Sequence, residues 1–201
     1  MKKPAENIEH FFPHVPLYEV KLADIGYFPI FVSIFDHWLY EDELNACQVT
    51  CYDDAIETQK IDEYLAGDEK LFSFYQRLAK GGVYIWEIEY VMIDHSVVKG
   101  PNPIEREDYW QAQAGDAGFE KLLTERLRAD DLYLRHIDFY FPELEIRSLK
   151  AETRTDLLLL RDKAILPALK KIAKEQGVYL LDGDHLDILE EKYLEHSPKS
   201  Q

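Results

Sequence analysis

Residues 83–93 carry the most regular hydrophobic pattern in the chain. Every second position is apolar: Tyr84, Trp86, Ile88, Tyr90 and Met92. The positions between them include Glu87 and Glu89. Side chains of a β-strand alternate between the two faces of a sheet, so this pattern predicts a strand with one apolar face. We expect that face to pack on the core and the glutamates to face solvent, because an unpaired buried charge is strongly destabilising.

The same patterns predict further strands and helices along the chain. Strands are predicted at 29–35, 132–141, 144–149 and 178–181, where short apolar or alternating runs occur. Helices are predicted at 53–65, 68–80, 103–115, 116–127, 153–175 and 184–194, from helical spacing and capping signals. Gly67 separates the first two of these helices, and Pro167 is expected to kink or restart the helix at 153–175.

The order of these elements predicts an α+β fold. Strands come first, and helices and strands then follow without strict alternation, which favours a largely antiparallel or mixed sheet with helices packed on it. The helix and strand at 153–181 leave an α/β arrangement as the alternative. A chain of 201 residues is expected to form a single domain over 1–201, with the loop at 94–103 as the one candidate internal boundary.

The apolar runs are too short for a membrane. The run at 157–160 is among the longest, far below the length of a spanning helix. The N-terminus begins with two lysines, but no apolar stretch follows them as in a signal peptide. With two cysteines whose spacing is a poor zinc signal, the chain is expected to be soluble and cytoplasmic.

Residues 36–69 concentrate negative charge. This stretch holds eleven acidic residues and a single base, Lys60, in a chain whose net charge is −16. Such a surface repels nucleic acid and anionic membranes and attracts basic partners. No motif for phosphate or nucleotide binding or for a known catalytic nucleophile is present.

The leading hypothesis is therefore a non-enzymatic module that binds a basic protein, with no cofactor, no metal and no catalytic residue. Surfaces of this kind are typical of proteins that inhibit basic enzymes, such as immunity proteins and antitoxins. The aromatic residues among the acids, Trp38, Tyr40, Tyr52 and Tyr64, are candidate anchors, since such residues are enriched at interface centres. The expected partner-binding residues are Asp36, Trp38, Tyr40, Glu41, Asp42, Glu43, Asp53, Asp54, Glu57, Asp62 and Glu63.

The alternative hypothesis is a metal-dependent hydrolase, because clustered carboxylates and histidines bind metals and perform acid–base chemistry. Its candidate residues are Glu87, Glu89, His136, Asp138, Asp182, Asp184 and His185. Each group also has a simpler interpretation. Glu87 and Glu89 fit the solvated face of a strand, and Asp184 fits a helix N-cap. If these side chains converge in a pocket, the hydrolase is favoured; if they are scattered, the binding module is favoured.

Overall fold

The computed structural model describes residues 3–13, 22–39, 41–90, 92–93, 96–97, 104–128, 135–150 and 154–182. Short 3₁₀ turns occur at Glu9–Phe11, Leu22–Ile25, Ala79–Gly81 and Lys163–Ile165. The strands and helices, in chain order, are β1 (Lys3–Pro4), β2 (Phe28–Ser33), α1 (Glu41–Cys47), α2 (Tyr52–Glu57), α3 (Ile61–Leu78), β3 (Val83–Tyr90), β4 (Met92–Ile93), β5 (Ser96–Val97), β6 (Ile104–Ala112), α4 (Ala117–Arg128), β7 (Arg135–Phe141), β8 (Ile146–Lys150), β9 (Thr155–Leu160), α5 (Leu166–Gln176) and β10 (Tyr179–Asp182).

Eight of the strands form one sheet in the order β1-β6-β3-β7-β8-β9-β2-β10. Every neighbouring pair in it is antiparallel. The strands β4 and β5 form a separate two-stranded ladder. Strands on both sides of residues 94–103 belong to the same sheet, since β3 pairs with β6 and β7. This antiparallel sheet with its packed helices confirms the predicted α+β fold.

Three helices cover one face of the sheet and enclose the main core. Their apolar stripes pack on alternate residues of the strands, which is how an amphipathic helix buries its apolar side. On the helix side the core residues are Leu71, Phe74, Tyr75 and Leu78 of α3, Phe119, Leu122, Leu123 and Leu127 of α4, and Leu169 and Ala173 of α5. On the sheet side they include Val32, Val83, Ile85, Ile137, Phe139, Ile146, Leu158 and Leu160.

The opposite face of the sheet is covered by segments that lack long helices. A second core there contains Leu22, Tyr27, Phe31, Leu157, Leu159 and Leu181. Over the middle of the sheet lies the N-terminal segment (residues 3–13). Its Phe11 stacks on Tyr140 at 4.6 Å between ring centroids, and Phe12 lies 5.8 Å from Trp86. Both faces of the central strands are therefore covered.

The predicted orientation of β3 is wrong. Val83 and Ile85 enter the main core, and Glu87 is buried on the same face. Tyr84 and Trp86 are half-buried on the opposite face, beneath the N-terminal segment. The glutamate is tolerated because its carboxylate accepts a hydrogen bond from the Trp110 indole at 3.1 Å. The side chains of Tyr90 and Met92 lie outside the described residues.

Two predicted helices are strands. Residues Ile104–Ala112 form β6, not a helix, and pair with β3 along most of its length. Thr155–Leu160 form β9, and the helix begins only at Leu166, with Pro167 in its first turn. All six residues of β9 are buried because the two faces of this strand lie in different cores. A continuous apolar run is typical of a strand covered on both sides.

Gly67 does not end a helix, because α3 runs through it from Ile61 to Leu78. A Cβ atom at this position would lie 2.8 Å from Arg154 Nη2 and 3.0 Å from Ile34 Cδ1. Glycine at position 67 therefore allows the side chains of Arg154 and Ile34 to pack close to the helix backbone, and it does not form a turn. In the ranges that the structure describes, no helix is both long enough and apolar enough to span a membrane.

Candidate functional site

The acids of residues 36–63 line the loop after β2, helices α1 and α2, and the first turn of α3. We call these exposed residues the acidic surface: Asp36, Asp42, Glu43, Asp53, Asp54, Glu57, Asp62 and Glu63. Tyr40 and the side chain of Glu41 lie outside the described residues. Further along α3, Asp68 is buried, so it does not belong to this surface.

Part of this acidity has a local structural reason. Cys51 caps α2, and its Sγ accepts a hydrogen bond from the Asp54 backbone N–H at 3.3 Å. Asp53 and Asp54 lie in the first turn of α2, as Asp62 and Glu63 do in α3. An acid near the positive end of a helix stabilises it by about 0.3–1 kcal/mol. Glu57 has no such position, because it is the last residue of α2.

Among the described residues, His37 is the basic residue that forms ion pairs with these acids. Its Nδ1 lies 2.7 Å from Asp36 Oδ1 and its Nε2 lies 3.2 Å from Glu43 Oε1. Hydrogen bonds to these two carboxylates raise the pKa of His37. The hydrogen bond from His37 likewise lowers the pKa of Asp36. Protonated His37 thus links the loop after β2 to α1.

The remaining acids of this surface form no ion pairs with residues that the structure describes. Among the described residues, these six have no ion-pair partner within 4 Å: Asp42, Asp53, Asp54, Glu57, Asp62 and Glu63. Three buried aspartates behave differently. Asp68, Asp138 and Asp156 each contact an arginine at 2.6 Å.

Two of the aromatic residues expected to act as anchors pack inside the protein. Trp38 lies edge-on against Phe31 of the second core, with 4.7 Å between ring centroids. Tyr64 is almost fully buried beneath the Arg154 guanidinium. The exposed apolar side chain in this region is Ile56 of α2, which is 50% accessible and lies beside Glu57.

The hydrolase candidates lie on different faces of the sheet. Glu87 points toward the helices, whereas His136 and Asp138 lie on the face covered by the N-terminal segment, in register with Ile88 and Trp86. Burial lowers the pKa of His136, although the charge of Asp138 opposes this. Asp138 is already paired, because Arg147 Nη2 donates to it at 2.6 Å.

The other hydrolase candidates are also dispersed. Glu89 is half-buried and lies 4.0 Å from Arg106 Nη1. Asp182 is on β10, five strands from β3, a separation of about 24 Å at about 4.8 Å per strand. Asp184 and His185 lie outside the described residues. Within the described part of the chain, no group of three potential metal ligands converges.

A buried ionic network between the helices and the sheet was not predicted. Arg126 of α4 donates to Asp156 Oδ2 of β9 at 2.6 Å, to Ser148 Oγ at 2.9 Å and to the Ile137 carbonyl at 2.8 Å. The Tyr75 hydroxyl also donates to Asp156 Oδ2, at 2.6 Å. Burial alone would raise the pKa of Asp156, but the neighbouring Arg126 charge helps to lower it.

A second group of charges continues this network. Arg154 Nη2 donates to Asp68 at 2.6 Å, and Arg128 Nε donates to the same carboxylate at 3.4 Å. Lys150 connects the two groups electrostatically, because its charge acts on both Asp68 and Asp156. Burial lowers the pKa of Lys150 and raises the pKa of Asp68. We call this set the Lys150 cluster: Asp68, Arg126, Arg128, Lys150, Arg154 and Asp156.

Sequence patterns contain a partial signal for the Lys150 cluster. Arg126 follows Leu122 and Leu123 by four and three residues, so it lies on the apolar stripe of α4. Asp156 shares a strand face with Leu158 and Leu160. A charged residue at such a position indicates a buried partner, although the pattern does not identify that partner.

The acidic surface and the Lys150 cluster are thus the two charged features on which a functional inference can rest. No protein-family model, no curated protein and no solved structure matches this chain.

Proposed function

We propose that the acidic surface is the docking site for a basic protein. The observation that carries this proposal is the contrast between buried and exposed acids. The buried aspartates Asp68, Asp138 and Asp156 are paired with arginines, whereas six exposed acids have no ion-pair partner within 4 Å among the described residues. Like charges at close spacing repel one another, and a cationic partner relieves that repulsion.

Two features support binding rather than solvation alone. First, helix capping accounts for acids in the first turns of α2 and α3 but not for Glu57, which lies where the helix dipole disfavours a negative charge. Second, exposed Ile56 adjoins Glu57 and supplies an apolar contact among the acids. Interfaces commonly combine an apolar centre with a charged rim.

The expected mode of action is neutralisation of a partner's basic site, as by an inhibitor of the immunity or antitoxin kind. Charge complementarity mainly accelerates encounter, whereas apolar contact slows dissociation. We place this interaction in the cytoplasm, in keeping with the absence of a disulfide between Cys47 and Cys51. The hydrolase alternative has less support, because its described residues are separated by the sheet.

The test uses charge reversal on and away from the acidic surface. The binding variant carries Asp42→Lys and Glu57→Lys. The control carries Glu143→Lys and Glu145→Lys, which changes the net charge equally. Glu143 lies against Gly81, just beyond the C-terminal end of α3. That helix is 18 residues long, so the control is about 27 Å from the start of α3.

Each variant and the unmodified protein serve as bait in a lysate of the native host, and captured proteins are identified by mass spectrometry. We expect one basic protein that is retained by the unmodified bait and the control, is lost with Asp42→Lys/Glu57→Lys, and elutes as salt rises. Ile56→Ser should then hasten its dissociation more than it slows association. Capture that is equal for all baits, or reduced equally by both charge reversals, would disprove a local docking surface.

A further inference from the structure

We propose that the outer edge of β10 binds an extended, acidic peptide segment of another protein, which adds one more strand to the sheet. The site shares no residue with the acidic surface and does not depend on the function proposed for that surface. It rests on the strand edge itself, and the cavity and lysines beside that edge indicate which kind of segment fits.

The two edges of the eight-stranded sheet differ. β1 forms one edge with only Lys3 and Pro4, and a short strand, a lysine and a proline are each features that hinder pairing with a further strand. β10 forms the other edge, and its sequence, YLLD, contains neither proline nor lysine. Among the described strands it pairs only with β2. In an antiparallel pair every second residue directs its backbone N–H and C=O away from the partner, so β10 directs such groups outward, where an added strand can pair with them.

A cavity of about 380 Å³ lies between β10 and α5. Its apolar lining includes Ala173 of α5, Leu180 of β10, and Val178 in the connection between them. Val178 and Leu180 lie on the side of the sheet that the helices cover, because both contact the main core. A strand added to β10 would direct alternate side chains to this same side, where an apolar one can enter the cavity. In β-strand addition, backbone pairing supplies affinity and pockets for alternate side chains supply specificity.

Lysines surround this cavity. Lys170 and Lys174 line it, and the Lys70 Cδ atom lies 3.7 Å from where a Cβ atom would be at Gly177, another lining residue. All three lysines are exposed, and none has an ion-pair partner within 4 Å among the described residues. No acid is among the described residues that line the cavity. The helix dipole accounts for Lys174 in the last turn of α5 but not for Lys170.

Charge also decides between a peptide and a second copy of this chain. Two copies joined through β10 would bring the same lysines of both chains together on one face of the joined sheet, and each copy carries a net charge of −16. Both repulsions oppose such a dimer. An acidic peptide instead places carboxylates beside Lys170 and Lys174, and Tyr179, which is 45% exposed, offers it an apolar contact on the other face of the strand. The expected ligand therefore has an apolar residue for the cavity and acidic residues two positions away, on the same face.

Selection from random peptides displayed on phage tests this proposal, with the full chain as bait. Two variants serve as parallel baits: Lys170→Glu/Lys174→Glu at the cavity, and the control Lys80→Glu/Lys121→Glu, which changes the net charge equally at two exposed lysines elsewhere. We expect a set of acidic peptides that the unmodified chain and the control enrich and that Lys170→Glu/Lys174→Glu does not. Basic peptides retained by all three baits would reflect the acidic surface and are counted separately.

A fluorescein-labelled copy of the most enriched acidic peptide is then titrated against each chain by fluorescence anisotropy. Its affinity should fall about tenfold or more for Lys170→Glu/Lys174→Glu and change by less than about twofold for the control. Absence of an enriched acidic set, or equal weakening by both double variants, would overturn the proposal.

Amide hydrogen exchange, followed residue by residue by NMR, shows whether the peptide adds to the strand. In the free protein the N–H groups of β10 that bond to β2 should be protected, and the alternate ones should exchange rapidly. Bound peptide should slow exchange of the rapid set. A peptide that binds without new protection in β10 would contradict strand addition. Protection of all β10 amides in the free protein would show that this chain or a second copy already occupies the edge, which would also overturn the proposal; sedimentation would identify which.

Discussion

Replacing Asp156 by asparagine is expected to lower the free energy of unfolding by about 3–5 kcal/mol. Asparagine keeps the shape of the side chain and one acceptor oxygen but removes the charge. The Arg126 guanidinium, with its side chain 1% exposed, is then left without its closest counter-ion, and Lys150 loses its nearest described carboxylate. Breaking a buried pair is strongly destabilising because the remaining charge is not returned to water.

The reverse change, Arg126→Met, should have a smaller effect, near the lower end of that range at about 3 kcal/mol. Without Arg126, the Asp156 carboxylate still accepts from the Tyr75 hydroxyl and still faces the Lys150 ammonium. The double variant removes both charges at once. The double variant should therefore lose about 2–3 kcal/mol less free energy of unfolding than the two single variants lose together, since residues in one network are strongly coupled.

Urea unfolding at pH 7, followed by circular dichroism, measures all three variants. Thermal unfolding is a second measurement. For a chain of this length each kcal/mol of stability changes the melting temperature by about 2–4 °C, so Asp156→Asn should lower it by about 6–20 °C. Glu175→Gln is the control, because it removes an exposed pair with Lys171 and should change stability by less than about 0.5 kcal/mol. A coupling energy below about 0.5 kcal/mol would refute the view that Arg126 and Asp156 act as one buried unit.

Three further outcomes are expected. Gly67→Ala should lower the urea midpoint despite alanine's helix preference of about 1 kcal/mol, because the new Cβ would crowd Arg154; a raised midpoint would show that Arg154 moves aside freely. Phe12→Ala should destabilise by about 3 kcal/mol and change the fluorescence of Trp86, which Phe12 covers; an unchanged spectrum would contradict that cover. His37 has a raised pKa, so its stabilising contribution is fully present below pH 6.5 and is lost as pH rises through the higher folded value. The stability difference between the unmodified protein and His37→Gln should accordingly shrink between pH 6 and pH 8, and a difference that grows instead would reverse this sign.

Local sequence patterns predicted the strands that show a simple apolar–polar alternation or a short apolar run. The predictions at 29–35, 132–141, 144–149 and 178–181 correspond to β2, β7, β8 and β10. Residues 103–115 were predicted as a helix because a capping signal precedes them. In the structure, pairing with β3 prevails over that local signal and makes residues 104–112 a strand. For β3 the strand was predicted but its orientation was not, because the cover on its second face comes from residues about seventy positions away.

The acidic surface and the Lys150 cluster also differ in how far the sequence predicts them. The acidic surface is visible in the sequence because its residues are contiguous, and its partner-binding role stays a prediction. For the Lys150 cluster the sequence indicates buried charges at Arg126 and Asp156 but not their partners, since the pairs join residues that are far apart: Asp68 with Arg154, and Arg126 with Asp156. With 39 acids and 23 lysines and arginines in the chain, no local rule selects these pairs among so many alternatives.

The position of β2 in the sheet sets a limit on how the chain folds during synthesis. Its partners on either side are β9 and β10, so Phe31 and Val32 acquire their strand partners only after residues 155–182 have been made. At about 5–20 residues per second this delay, over about 120 residues, lasts roughly 6–24 s. Such distant pairing also slows folding, since a long loop must close before any contact forms. Throughout that interval we expect both backbone edges of β2 to lack their strand partners, and an unpaired apolar edge is the kind of surface that favours aggregation.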